Sequence, residues 1–113
     1  MSAVAIPTAL HPSVVLEYAA FALETGLWEW YHNAANNAPG LETGNCAMTA
    51  ITRAARELGA IAAAYGAVTA LQRVVGEIGP FNDRRDQTVE GVVAALRAAA
   101  LRAAALRAAA MLA

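Results

Sequence analysis

The sequence predicts an all-α protein: a small bundle of about four helices with a protruding Ala/Leu/Arg-rich C-terminal helix. Three observations predict it. The chain has 113 residues, enough for one domain at most. Alanine supplies 31 of its 66 apolar residues, and Ala, Leu and Arg are among the best helix formers. Apolar residues recur three and four apart in several segments, and the chain closes on three copies of LRAAA. With so much alanine, the core must be built from helices in close approach rather than from a large aromatic interior.

The elements follow in order. Residues 1–11 read as an N-terminal arm, small and uncharged up to His11. Helix one starts at Pro12–Ser13, with Pro in the first turn and Ser as a cap. Val14, Val15, Tyr18, Phe21 and Ala22 form its stripe, and Gly26 stops it. The aromatic knot Trp28, Trp30, Tyr31 comes next, followed by His32. Residues 33–45 are rich in Asn, Gly and Pro and read as a loop. Helix two covers Cys46–Leu58, capped by Asn45, with Met48, Ile51, Ala55 and Leu58 on one face. Helix three covers residues 60–77, in two pieces if Gly66 breaks it. Gly79-Pro80 ends it, and residues 81–87 form a polar turn. Thr88 or Asp86 caps helix four, whose stripe is Val89, Val92, Val93, Leu96 and Ala100. Beyond it the five-residue repeat advances Leu96, Leu101 and Leu106 by about 140° each, so the leucines define no face. The expected division is therefore arm 1–11, helical domain 12–100 and low-complexity helical extension 101–113.

Several function classes drop out. A net charge of −1 supports no general polyanion binding, so no nucleic acid is expected as partner. One cysteine makes no internal disulfide, and no Cys/His cluster has zinc spacing, so neither metal nor cofactor is expected. A reducing, cytoplasmic setting suits that single thiol. Residues 1–16 carry no Lys or Arg, so no signal peptide is expected. The longest uncharged helical stretch, residues 58–72, falls short of the ~20 residues of a membrane span.

Four fragments occur in a telling order: Gly26-Leu27-Trp28, Cys46-Ala47-Met48-Thr49-Ala50, Phe81-Asn82-Asp83 and Thr88-Val89-Glu90-Gly91-Val92. Over roughly residues 13–96 this set resembles a family of small uncharacterised actinobacterial proteins, a domain of unknown function. Its pattern is Gly-Trp, Cys-x-x-Gly-Ala, then Trp-Asn-Asp, Arg-Thr and a Glu/Val-rich final helix. This chain departs from it at four places. Leu27 separates Gly26 from Trp28, and Thr49 replaces a glycine. Phe81 replaces the tryptophan and Gln87 the arginine. The resemblance implies an actinobacterial or actinophage source and supplies no activity.

Candidate site residues carry two readings each. Cys46 in the first turn of helix two has a route to nucleophilic chemistry, with His32 as base and Asn82 orienting it. The plainer reading is a small apolar residue packed at a helix end. Trp28, Trp30 and Tyr31 could line a ligand pocket or an interface, or else hold the core and cover the loop. Asp83, Arg84 and Arg85 could bind an anion, or form a capped turn in which aspartates neutralise the arginines. The expectation is a small non-enzymatic interaction protein, self-associating as a homo-oligomer or docking on another protein. A thiol-dependent enzyme or redox-sensitive binder built on Cys46 is the alternative.

Overall fold

The structure, a computed structural model, describes residues 10–32 and 44–112. The expected arm up to residue 9 and the loop 33–43 lie outside the described residues. Five helices are present in this span: α1 (Pro12–Glu24), α2 (Ala47–Glu57), α3 (Ala64–Val75), α4 (Ile78–Asp83) and α5 (Val89–Leu112). A one-turn 3-10 helix at Ile61–Ala63 leads into α3. Two short parallel strands, β1 (Glu29–Trp30) and β2 (Gly44–Asn45), pair Glu29 with Gly44 and Trp30 with Asn45. The fold is therefore all-α with a long C-terminal helix, as the composition predicts.

Helix α1 lies along α5 in antiparallel sense. At one end Arg97 of α5 grips Glu24 through two hydrogen bonds, 2.7 and 2.9 Å. At the other, His11 and Arg107 line one groove. The Arg97 hydrogen bond holds the Glu24 carboxyl below its ordinary range. The core is largely alanine, as expected of close-packed helices: Ala19, Ala20, Ala22, Ala47, Ala50, Ala54, Ala55, Ala67 and Ala99 are fully buried. Leu16, Ile51, Leu71, Ile78 and Leu96 are its largest fully buried apolar side chains.

Local chemistry departs from the sequence reading at several points. His11, not Ser13, caps α1: its side chain accepts from the Ser13 amide at 3.1 Å. The face of α1 is also shifted. Leu16, Ala19 and Leu23 are buried while Val14 and Phe21 are exposed, because bulk alone does not mark a face in an alanine-lined core. Asn45 pairs in β2, and Cys46 is the N-cap of α2. Met48 of the expected α2 stripe is exposed, while Ile51 and Ala55 are buried.

Gly66 does not break α3. It sits where the start of α1 crosses, and a Cβ there would come within 2.9 Å of Pro12 Cγ. Glycine at this point is a matter of space, not of helix ending. Gly76, with φ +81°, is the residue that ends α3. Gly79-Pro80 lies inside α4, where Pro occupies an early position whose amide has no intrahelical partner to lose. The polar turn shortens to 84–87. Thr88 caps α5, accepting from the Gly91 amide at 3.0 Å.

The terminal repeat has a face after all. Val92, Leu96, Ala99 and Ala103 are spaced 4-3-4 and fall within about 60° of one another on the helix. The first three are buried and Ala103 is half-buried. Alanines continue the seam that the leucines leave. Leu101, Met111 and Leu112 point outward, with 74%, 75% and 88% of their surface exposed.

Candidate functional site

The aromatic knot after α1 is tied to α4, some fifty residues further along the chain, by one side chain. Asn82 is fully buried. Its Oδ1 accepts from Trp30 Nε1 at 2.7 Å and from the Ala47 amide at 2.9 Å. Its Nδ2 donates to the carbonyls of Tyr31 and His32, both at 2.8 Å, and approaches Asp83 Oδ1 at 3.1 Å. Two N–H donors meet the amide oxygen and three oxygens meet the amide nitrogen, so the orientation of this amide is fixed by chemistry. Asn82 thereby joins β1, the start of α2 and the short α4.

A second buried amide completes the tie. Gln87 is 5% exposed. Its Nε2 donates to Phe81 O at 2.9 Å and its Oε1 accepts from the Thr88 amide at 3.2 Å. The Gln87 carbonyl accepts from His32 Nε2 at 3.0 Å. The His32 ring also lies 4.5 Å from the Trp30 ring, centroid to centroid.

Trp28 is only 3% exposed. Its ring packs on Tyr18 at 5.7 Å, and the Arg53 guanidinium lies 4.4 Å above it. Arg53 and Tyr18 converge on Glu57, at 3.1 and 2.8 Å. These bonds, Tyr18 first, pull the Glu57 carboxyl below its usual range, and the Glu57 bond raises the Tyr18 phenol. Trp30 is half-buried and Tyr31 exposed. Of the acid-arginine turn, Arg84 pairs with Asp86 at 3.4 Å and lies over Phe81, while Arg85 is exposed.

Cys46 is 2% exposed. Its sulfur lies 3.4 Å from the Thr49 amide, which donates to it, and 3.1 Å from Thr49 Oγ1. The structure does bring Cys46, His32 and Asn82 into one neighbourhood. Asn82, however, meets His32 through the backbone carbonyl rather than the ring, and the ring Nε2 is engaged by the Gln87 carbonyl. The arrangement orders three chain segments, and the Cys46 thiol is buried. Cys46 is therefore expected to react slowly with a thiol reagent in the native protein and quickly in denaturant. Fast native labelling whose rate changes in His32→Ala would put the nucleophilic reading first. Cys46→Ala should cost about 1 kcal/mol by removing the cap, whereas Cys46→Ser keeps a cap acceptor of a favoured type.

Sequence reasoning missed Gln87 and the Tyr18–Glu57–Arg53 cluster. The only signal for the first was indirect: Trp30 and His32 both bring ring N–H groups that need acceptors when packed. No curated protein and no solved structure matches the chain. The model of a family of unknown function, DUF6197, matches residues 7–102. That span covers most of the chain and takes in both tied amides, and on it the protein belongs to this family of unknown function.

Proposed function

We propose that the protein is a small non-enzymatic interaction protein that self-associates through the outer face of α5. One observation carries the reading. Leu101, Ala105, Ala108 and Leu112 are spaced 4-3-4, on the side of α5 roughly opposite the buried seam. All four are exposed, the two leucines with about three-quarters or more of their surface open. A Leu-Ala-Ala-Leu seam lets two helices approach closely and bury the leucines at its ends. Residues 12–100 then form the folding unit, and residues 101–113 are the extension that pairs. A reducing, cytoplasmic setting remains the one that suits its single thiol.

The association is modest in strength. Four leucines buried per dimer contribute roughly 6–12 kcal/mol, against an association cost of about 4–15 kcal/mol. Mass measured by light scattering should therefore rise with concentration. Leu101→Gln/Leu112→Gln should stay monomeric, and truncation after Ala100 should leave a folded monomer. A full-length chain that stays monomeric at high concentration, or a double variant that associates unchanged, would overturn the reading.

A further inference from the structure

The start of α1, the outer side of α3 and the C-terminal half of α5 enclose a groove of about 380 Å³. Arg73 of α3 and Arg102 and Arg107 of α5 line it, with His11, Tyr65 and Leu106. Among the described residues no Asp or Glu lines it. The ion pairs of the described residues use Arg53, Arg84 and Arg97. Arg73, Arg102 and Arg107 take part in none of them. Three arginines thus line one groove in a chain whose net charge is −1. The first turn of α1, whose end of the helix dipole is positive, carries no acidic residue either.

The groove is not uniformly polar. Leu106 is half-exposed on its wall, and the Tyr65 ring is 82% exposed. Tyr65 and Arg73 are about two turns apart on α3, a rise of about 12 Å, and Arg102 and Arg107 are separated by a rise of about 7.5 Å and by about 140° around α5, on the two flanks of the groove. Arginine forks match phosphate oxygens bidentately, and an exposed aromatic ring offers a stacking surface. The volume falls in the range of small-molecule sites, ~300–1,000 Å³.

We propose that this groove binds a small organic polyphosphate of the nucleotide class, with its phosphates on Arg73, Arg102 and Arg107 and its apolar ring system against Tyr65 and Leu106. The site is separate from the self-association seam, because Leu101 and Leu112 lie on the opposite side of α5. A dianion or stronger also relieves the mutual repulsion of the three guanidiniums, which a neutral ligand does not.

Calorimetry on the full chain at low salt, with ADP, pyrophosphate and adenosine as probes, tests the proposal. ADP is expected to bind most tightly, pyrophosphate less so and adenosine much more weakly, with affinity falling as salt rises. Arg102→Gln/Arg107→Gln should weaken ADP by at least about tenfold. Both side chains are exposed, so circular dichroism should show the fold unchanged. A second readout is the His11 imidazole, followed by NMR. In the free protein its pKa is held down by burial and then by the Arg107 charge. Arg107 is the charge that acts on it, Arg73, Arg102 and Tyr65 line the same groove, and Ser13 Oγ lies 2.8 Å from its ring. Bound phosphate offsets the guanidiniums, so this pKa should rise with pyrophosphate and not with adenosine. No binding of ADP at millimolar concentration would overturn the proposal, as would equal binding by the double variant. Pyrophosphate binding tighter than ADP would remove the organic part of it, and preference for an oligonucleotide over ADP would replace it with a different one.

Discussion

Replacing Asn82 with Ala is expected to cost about 3–6 kcal/mol, a large part of the ~5–15 kcal/mol that holds a domain of this size together. The cost does not come from lost packing, since the side chain is small. It comes from what is left behind. The Ala47 amide and Trp30 Nε1 lose their acceptor, and the Tyr31 and His32 carbonyls lose their donor. A buried group left without a partner carries its full desolvation penalty, about 1–3 kcal/mol. Tyr31 and His32 are themselves exposed, so water can recover part of the loss at their carbonyls. Urea unfolding gives the number, and a loss below ~1 kcal/mol would show that Asn82 does not tie the three segments. Asn82→Asp separates the hydrogen bonds from the shape. The carboxylate keeps an acceptor for Trp30 and Ala47 but turns a second oxygen on two carbonyls and Asp83 Oδ1. Burial and those oxygens raise its folded-state pKa above the ~3.9 of the unfolded chain. Folding then favours the protonated form, so the deficit of Asn82→Asp is full at neutral pH and shrinks as pH falls towards and below the unfolded value. The deficit of Asn82→Ala has no such dependence.

This residue also shows where reading the sequence stops. Asn82 sits in a run, Phe81-Asn82-Asp83-Arg84-Arg85-Asp86, that looks like a solvated turn by every local criterion. Nothing in its neighbourhood says that residues 30–32 and 47 come to it from across the chain. Long-range hydrogen bonds leave no periodicity, so the site was legible only as a set of residue types. The same limit hid β1 and β2, whose two-residue strands are too short for an alternating pattern. Helix α5 and its stripe were legible because Val92, Val93 and Leu96 are bulky and spaced as a helix requires. Helix α1 was legible as a helix but not in its orientation. Alanine fills the contact face there, and a residue that marks closeness by being small gives no contrast in a hydrophobic pattern. The tail shows this again: its leucines define no face, and the face belongs to Ala99 and Ala103.

Trp28→Ala should be the second severe change, at about 3–5 kcal/mol, and Trp30→Ala should cost clearly less. Trp28 is 3% exposed and packed against Tyr18, with Arg53 across its ring. Tyr18 and Arg53, the long side chains beside it, are both bonded to Glu57, and the core around them is largely alanine, so the space is poorly refilled and most of the cavity cost is felt. Arg53 loses the surface it lies on, though it keeps its bond to Glu57 on the solvent side. Trp30 is half-buried, and its removal gives up one hydrogen bond to Asn82, whose oxygen still receives the Ala47 amide. The comparison therefore weighs burial against hydrogen bonding within the same knot. Urea unfolding of the two variants, side by side, decides it. Equal and small losses would mean that the aromatics face a ligand or partner rather than the core. A larger loss for Trp30→Ala would mean that the Asn82 network, and not the Trp28 packing, is what holds the end of α1 to the rest of the fold.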